Sequence, residues 1–439
     1  MSSRQKLHVA IVGGGLGGIS LAIALQVRNI SFTIYEAKGA FTEIGAGINL
    51  APNGLRALRE IDPSLGDQIY KLATRNLPPN EDTWMWVRYG AASGEHADGE
   101  TIMELKAPPT GNMAMHRQEL LATLAQRMGH GHARFNKKLL AFQQHNDHVK
   151  LQFEDGTEES ASVLVGCDGV HSIVRARMFG SDSVVSRPHF NQDGAYRAVI
   201  AMENALEVFG DTACQSQVLL GPNGYMIYYP VNGGTSVNVG VWISRQGQSW
   251  DRKDWVVPGQ KQQFQQDLEN WGPRVHKLID FFDPDPAFWA AHQHVHQPDS
   301  FTDGRVILLG DGAHAMPPHA GAGASQAAED AYVLAEALTM IRDGDTSLAT
   351  VSAALRAAES VRKPRFLKVQ DISTRSGPDW YSFHERQLEG EQMDEWKKFK
   401  KERVEWIWNV DMRAEAVKAK RIFAEEVLTE NCEQRWEAT

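Results

Sequence analysis

An α/β fold with an inserted mixed β-sheet and a helical C-terminal region is predicted by three observations on this 439-residue chain. A glycine-rich turn, Gly13-x-Gly15-x-x-Gly18, joins an apolar run to a helical one. A second glycine segment, Gly310-Asp-Gly-Ala-His-Ala-Met-Pro-Pro-His-Ala-Gly-Ala-Gly323, follows another apolar run far along the chain. Between them lies a stretch of short β-prone runs separated by Gly, Pro and Asn turns.

In chain order, Leu7–Val12 reads as a buried strand, Gly17–Val27 as a helix and Ser31–Glu36 as a second strand, together one βαβ unit. Residues Met115–Arg127 read as a helix. Leu139–Asp168 reads as short strands around a turn at Asp155-Gly156, ending in the buried run Val163–Gly166. The runs Ala195–Met202, Gln217–Leu220, Tyr225–Val231 and Ser236–Ile243 form the inserted sheet, followed by a polar stretch (244–261) and a helical piece at Gln262–Phe282. Arg305–Leu309 returns the chain to the first domain, and Ala324–Asp343 is a long helix. The expected division is 1–187 with 298–354 as a discontinuous Rossmann-type dinucleotide domain, 188–297 as the substrate domain and 355–439 as the helical region. In that last region Trp396, Phe399, Trp406, Ile407 and Val410 recur on one face, expected to pack on the protein itself.

The composition narrows the function. A formal net charge of −10 argues against nucleic acid, whose phosphates need clustered Lys and Arg. Three cysteines, Cys167, Cys214 and Cys432, are too few and too scattered for a disulfide framework or a zinc site. No apolar run has the length of a membrane helix, and the polar start leaves no room for a signal peptide, so a cytoplasmic enzyme, monomeric or homodimeric, is expected.

The three glycines of the first motif serve different physical needs. Gly13 permits the tight turn, Gly15 lets the backbone approach a pyrophosphate, and Gly18 lets helix and strand pack closely. The helix start supplies free N–H groups and partial positive charge. Glu36 ends the next strand, where a carboxylate can accept from a ribose diol and disfavours a 2′-phosphate; FAD and NAD both remain open on these residues. The second segment turns the reading to FAD. A strand delivers Asp311 at its carboxyl end, Pro317-Pro318 breaks the chain, and Gly323 and Ala324 open a helix whose N–H groups face an electron-rich ring edge.

The order of GxGxxG, Cys167-Asp-Gly-Val-His-Ser172, and Gly310-Asp311 with Pro317-Pro318 resembles the single-component FAD-dependent aromatic hydroxylases, over about residues 7–340. The resemblance implies that Asp311 holds the flavin ribityl chain. It also implies that Asp168 and Gly169 serve FAD and a transient NADH or NADPH, and that Arg117 meets the FAD pyrophosphate. Glu43-Ile-Gly-Ala-Gly47 resembles the flavin-proximal loop of salicylate hydroxylases, as does 317–323, with Ala320 where a Gln is usual and Gly312 in place of a common alanine. Ala195-Tyr-Arg197 and Tyr228-Tyr-Pro230 resemble a fungal subgroup that dearomatises phenols; there an arginine and a tyrosine hold the phenolate, mapping to Arg197 and Tyr229. A cation near a phenol oxygen favours the anion and makes the ring carbon nucleophilic.

The implied activity is monooxygenation of a small phenolic or salicylate-type aromatic, consuming NAD(P)H and O2 through a flavin C4a-hydroperoxide, with the salicylate-type reaction favoured. The alternatives are dearomatising hydroxylation of an alkylated polyketide phenol, an oxygen-independent flavin dehydrogenase, and a flavin-binding protein without catalysis. No second GxGxxG follows a strand and no Cys-x-x-x-x-Cys occurs, which argues against a separate nicotinamide domain and a redox disulfide. His292-x-His294-x-His296 has the spacing of one strand face, read as a solvated strand rather than a metal site. His319, beside the flavin loop, is a candidate for proton transfer or for holding a substrate carboxylate, against a loop-capping role.

Overall fold

The structure is a computed structural model that describes residues 6–42, 47–342 and 344–437, with side chains described up to residue 429. Four apolar runs, His8–Val12, Ser31–Tyr35, Val163–Gly166 and Val306–Leu308, lie side by side as parallel strands. Short edge strands at Ala133–Arg134 and Thr302–Asp303 complete a six-stranded sheet. Continuous apolar strands suit a sheet covered on both faces. Successive residues of the first strand go to opposite sides: Val9 and Ile11 pack with the helices Leu16–Val27 and Gly323–Leu338, while Ala10 and Val12 pack with Leu151 and Phe153 of a three-stranded antiparallel layer.

The second sheet has eight strands in the order Val256–Val257, Phe288–Gln293, His189–Ala201, Ser236–Ser244, Gly224–Val231, Gln217–Gly221, Thr83–Tyr89, Thr101–Lys106. Its last two strands come from residues ahead of 188, so the middle segment alone does not supply it. Gln217–Gly221 pairs in parallel with Thr83–Tyr89, which explains why no hairpin signal links them.

Leu348–Tyr381 forms one helix of 34 residues, so the boundary drawn at 354/355 falls inside a single element. At 1.5 Å per residue it runs about 50 Å, long enough to touch both sheets. The expected apolar face near the C-terminus divides. Trp396 and Ile407 are buried, but Phe399 and Trp406 reach the surface. Their outer faces carry cations instead, with Arg403 4.5 Å from the Phe399 centroid and Lys368 3.8 Å from that of Trp406. Among the described residues no helix is long and apolar enough to cross a membrane.

Candidate active site between the two sheets

A cavity of about 490 Å³ opens where the carboxyl ends of the parallel strands meet the second sheet. Its volume is in the range of small-molecule sites. One wall is backbone. Gly15 caps the helix Leu16–Val27 with no side-chain hydrogen bond, and Ala322 does the same for Gly323–Leu338, so both helix starts face the cavity with free N–H groups. Gly13 has φ +104°, and a Cβ there would lie 2.4 Å from the Cys167 carbonyl oxygen. A Cβ on Gly18 would lie 2.1 Å from the Gly13 oxygen. The turn therefore admits no side chain at either position.

The opposite wall is side chain, and strand register builds it. Arg197 stands opposite Gly240, which stands opposite Ile227; Tyr229 pairs with Asn238, and Tyr225 with Trp242. Positions of one parity on neighbouring strands share a face. Gly240, having no side chain, opens space at the centre of this face between Arg197 and Ile227. Trp289 and Ala291 extend the wall on the next strand, and Met316 and Pro317 close it from the loop. Gly47 approaches so closely that its Cβ would lie 2.9 Å from the Tyr229 hydroxyl, and its N–H donates to Asn238 Oδ1 at 2.7 Å.

Of the residues singled out in the sequence, Gly15, Gly47, Arg117, Arg197, Tyr229, Asp311, Gly323 and Ala324 all line this one cavity. The others stand behind it. Glu36 accepts from the Gly14 and Lys38 N–H groups at 2.7 and 2.9 Å. Asp168 accepts from Ser172 Oγ at 2.5 Å and from the N–H groups of Ile173 and Val174, capping the helix Ile173–Phe179 while Gly169 reaches the cavity. Burial raises the Asp168 carboxyl against those hydrogen bonds. His319 is buried, bonded to Tyr225 and Asp193. Residues 43–46 of the loop likened to that of salicylate hydroxylases lie outside the described residues.

The histidine triplet is corrected. The strand ends at Gln293, so the three rings do not share a face. His292 stacks on Trp255 at 3.6 Å and lines the cavity, while His294 is buried. Burial lowers them to about 4 and about 3, so both are neutral rings rather than solvated ones. Among the described residues no three His, Cys, Asp or Glu side chains stand together as metal ligands.

The electrostatics of the cavity are set by two arginines. The Arg197 side chain is open to the cavity, while protein encloses its guanidinium on nearly every other side. It lies 5.4 Å from the Trp242 ring centroid and 5.6 Å from that of Trp289. Burial lowers its pKa, the Tyr229 oxygen opposes that, and the charge of Arg117 adds to it. A buried guanidinium with no carboxylate hydrogen-bonded to it among the described residues, as Arg197 is, favours an anionic ligand. Tyr229 is pushed far up by burial despite Arg197, so it stays a neutral hydroxyl. The Cys167 thiol is likewise raised by burial and by Asp168 and Asp330, which makes it inert.

Asp311 is fixed from beneath. Asp330 accepts from the Gly310 N–H at 3.2 Å, lies 2.6 Å from His314 Nε2 and pairs with Arg362 at 2.8 Å. Glu329 joins Arg362 and Arg365, each at 2.7 Å. Sequence reasoning missed this cluster, and also Tyr225, Asn238, Trp242 and Trp289. The alternation of 225/227/229 and 238/240/242 carried a signal for the wall residues; nothing local marked Asp330 or Asp193.

Uncapped helix starts, glycines that exclude side chains and a cation at the cavity edge fit a dinucleotide, and the enclosed second wall fits a small molecule beside it. These features define a dinucleotide-binding enzyme with a separate substrate wall. The family model of an FAD binding domain matches residues 6–372, and the chain belongs to this family of FAD-dependent monooxygenases. It is 34% identical over 431 residues to 6-methylsalicylate 1-monooxygenase of Aspergillus terreus, covering 97% of this chain and 94% of that protein. It is 30% identical over 437 residues to salicylate hydroxylase of Pseudomonas putida, covering 95% and 96%. A solved salicylate hydroxylase substrate complex superposes with a TM-score of 0.80 at 27% identity, covering 95% of this chain and 98% of that one.

Proposed function

We propose that this enzyme hydroxylates a small anionic phenol, with salicylate-type acids as the favoured class, at the expense of NAD(P)H and O2. The observation that carries this reading is Arg197, a guanidinium held between two indole faces with no carboxylate hydrogen-bonded to it among the described residues. FAD, when bound and reduced, supplies the activation of dioxygen. In this reading Gly13, Gly15, Gly18 and Glu36 form the nucleotide turn, and Arg117 meets the pyrophosphate. Asp311 and the helix start at Gly323 and Ala324 serve the flavin, while Asp168 keeps Gly169 at the cavity edge.

Arg197 stabilises the phenolate and Tyr229 donates a hydrogen bond to it, which makes the ring carbon ortho or para to that oxygen electron-rich. Trp242, Trp289 and Ile227 exclude water from the ring. The likeness to enzymes named for salicylate and 6-methylsalicylate supports a substrate with a carboxylate beside the phenol. A second reading, dearomatising attack on an alkylated phenol, is supported by the adjacency of Tyr229 and Arg197.

The test is NADH and NADPH oxidation by the FAD-loaded enzyme with salicylate, 6-methylsalicylate and alkylated resorcinols under labelled oxygen. Labelled catechol and carbon dioxide are expected. A labelled dienone selects the second reading, and turnover without label in any product overturns both.

A further inference from the structure

The eight-stranded sheet carries four glycines within its strands, Gly194, Gly221, Gly224 and Gly240, and packing dictates the first three. A Cβ on Gly194 would lie 2.5 Å from the Trp289 carbonyl oxygen. One on Gly221 would lie 2.6 Å from the Trp271 ring, and one on Gly224 2.6 Å from the Trp242 carbonyl oxygen. Gly240 differs. The atoms nearest to its Cβ position are Ile227 Cγ2 and Trp242 Nε1, both at 3.5 Å, an ordinary van der Waals contact. Its φ lies outside the left-handed region, so the backbone does not call for glycine either. Glycine inside a strand gives up packing and backbone entropy. Where no contact requires it, the close approach of a ligand is the remaining reason.

The neighbours of Gly240 decide what can approach. It lines the cavity at the centre of the side-chain wall. Arg197 and Ile227 are its partners across the ladder, each about 4.8 Å away along the sheet. Asn238 and Trp242 precede and follow it on the same face of its own strand. The missing side chain therefore leaves a well one residue wide. Its floor is strand backbone, whose polar groups lie in the plane of the sheet and serve the ladder. Asn238 is already engaged, its Oδ1 accepting from the Gly47 N–H at 2.7 Å. The side away from Arg197 is the aliphatic Ile227, and the Trp242 ring edge closes one end. A floor without free donors and an aliphatic side fit a small alkyl group.

We propose that Gly240 is a specificity-determining residue that seats a methyl group carried on the ring of the phenol. With the phenol oxygen at Arg197 and Tyr229, that methyl enters the well and meets Ile227 and the edge of Trp242. The substrate is then a ring-methylated phenol rather than bare salicylate. This seat rests on the phenol-hydroxylase reading above, and it holds for either of the two product outcomes considered there.

FAD-loaded wild type and Gly240→Ala are compared on phenols that differ by one methyl: salicylate with its ring-methylated isomers, and resorcinol with its own. Both kcat/KM and Kd are measured, the latter from the change in flavin absorbance on binding. Wild type is expected to favour one methylated isomer over its parent by about 10-fold or more, the discrimination that one methyl gives in an apolar pocket. Gly240→Ala fills the well and is expected to cut that ratio by about 10-fold in both measurements, with flavin content unchanged. A hydroxyl in place of the favoured methyl is expected to lose the preference. No preference for any methylated isomer, a ratio unmoved in G240A, or a hydroxyl preferred to the methyl overturns the seat. Loss of flavin from G240A overturns it too, because the gap then belongs to the cofactor. If G240A does not fold, Ile227→Ala decides alone: the wider well should move the preference from methyl toward ethyl, and an unmoved preference overturns the seat. A wild type that oxygenates phenols without this preference removes the seat and leaves the functional reading standing. One that incorporates no oxygen into any phenol overturns that reading first, and the seat with it.

Discussion

The two walls of the cavity are made of different material. The wall proposed for the cofactor is almost all backbone: two uncapped helix starts, glycines that exclude a Cβ, and one carboxylate, Asp311, on a turn locked by buried charge. The wall proposed for the substrate is almost all side chain, contributed by alternate residues of four strands with a glycine gap at its centre. Backbone geometry serves any ligand carrying the same phosphate and ring edge. Side chains in register can be exchanged one at a time, so a substitution on the second wall can change the shape and charge offered to a small molecule without disturbing the first.

That contrast is broken most severely at the foundation of the cofactor wall. Burial alone would raise the Asp330 carboxyl, but His314 and Arg362 outweigh it and hold it at about 2. The folded value lies below the unfolded one, so its stabilisation is complete above the ordinary carboxylate range and is lost as the pH falls from about 4 toward 2. Asp330→Asn is expected to cost about 3–5 kcal/mol at neutral pH, because it leaves Arg362 and His314 short of a buried partner. Urea midpoints near pH 7 and near pH 3 should converge between wild type and variant. A constant difference would mean that Asp330 is not the lock.

On the substrate wall, Arg197→Met should lower kcat/KM for the phenol by about 10²–10³ while flavin content stays unchanged. Loss of flavin instead would mean that Arg197 belongs to the cofactor. Asp311→Asn is the mirror test. A hydrogen bond to a charged group contributes about 1.5–3 kcal/mol, so flavin affinity, read by fluorescence titration, should weaken about 10- to 100-fold. Substrate KM at saturating flavin should hold.

The same contrast explains what the sequence disclosed. Gly13 and Gly18 were legible because backbone constraints are local: a turn that excludes a Cβ needs glycine wherever it occurs. The strands of the parallel sheet were legible as apolar runs of strand length, with Ser31–Glu36 and Val163–Gly166 found within a residue of their ends. Asp193, Tyr381 and Asp330 were not, because each acquires its role from partners far away in sequence. Asp193 and Tyr381 are 188 residues apart. The histidine triplet misled for the same reason: its spacing is a strand's, but the strand stops one residue before His294. The long helix crosses 354/355 because it is held by contacts distant in sequence, Arg362 near its middle with Asp330 and Tyr381 at its end with Asp193.

That helix also supplies the smallest test, since it carries a second buried ion pair near its far end. Lys400 lies 3.6 Å from the Trp380 ring centroid and 5.3 Å from that of Trp396, paired with Asp379. Burial lowers its amine to about 8, against the pull of Asp379. The folded value again lies below the unfolded one, but here the charged form is the one disfavoured. Between about pH 8 and pH 10 the unfolded chain binds more protons, so stability from this group rises with pH. Asp379 keeps Arg386 at 2.8 Å when Lys400 is gone. Lys400→Met, which keeps the apolar stem against the two indoles, should therefore change stability at neutral pH by no more than about 1 kcal/mol. The variant should also lose the rise with pH that wild type shows. Two buried ion pairs on one helix would then differ in kind: the first holds the turn that presents Asp311, while the second can be replaced by packing. A K400M enzyme as damaged as D330N would erase that difference and make the far end of the helix as constrained as the cofactor wall.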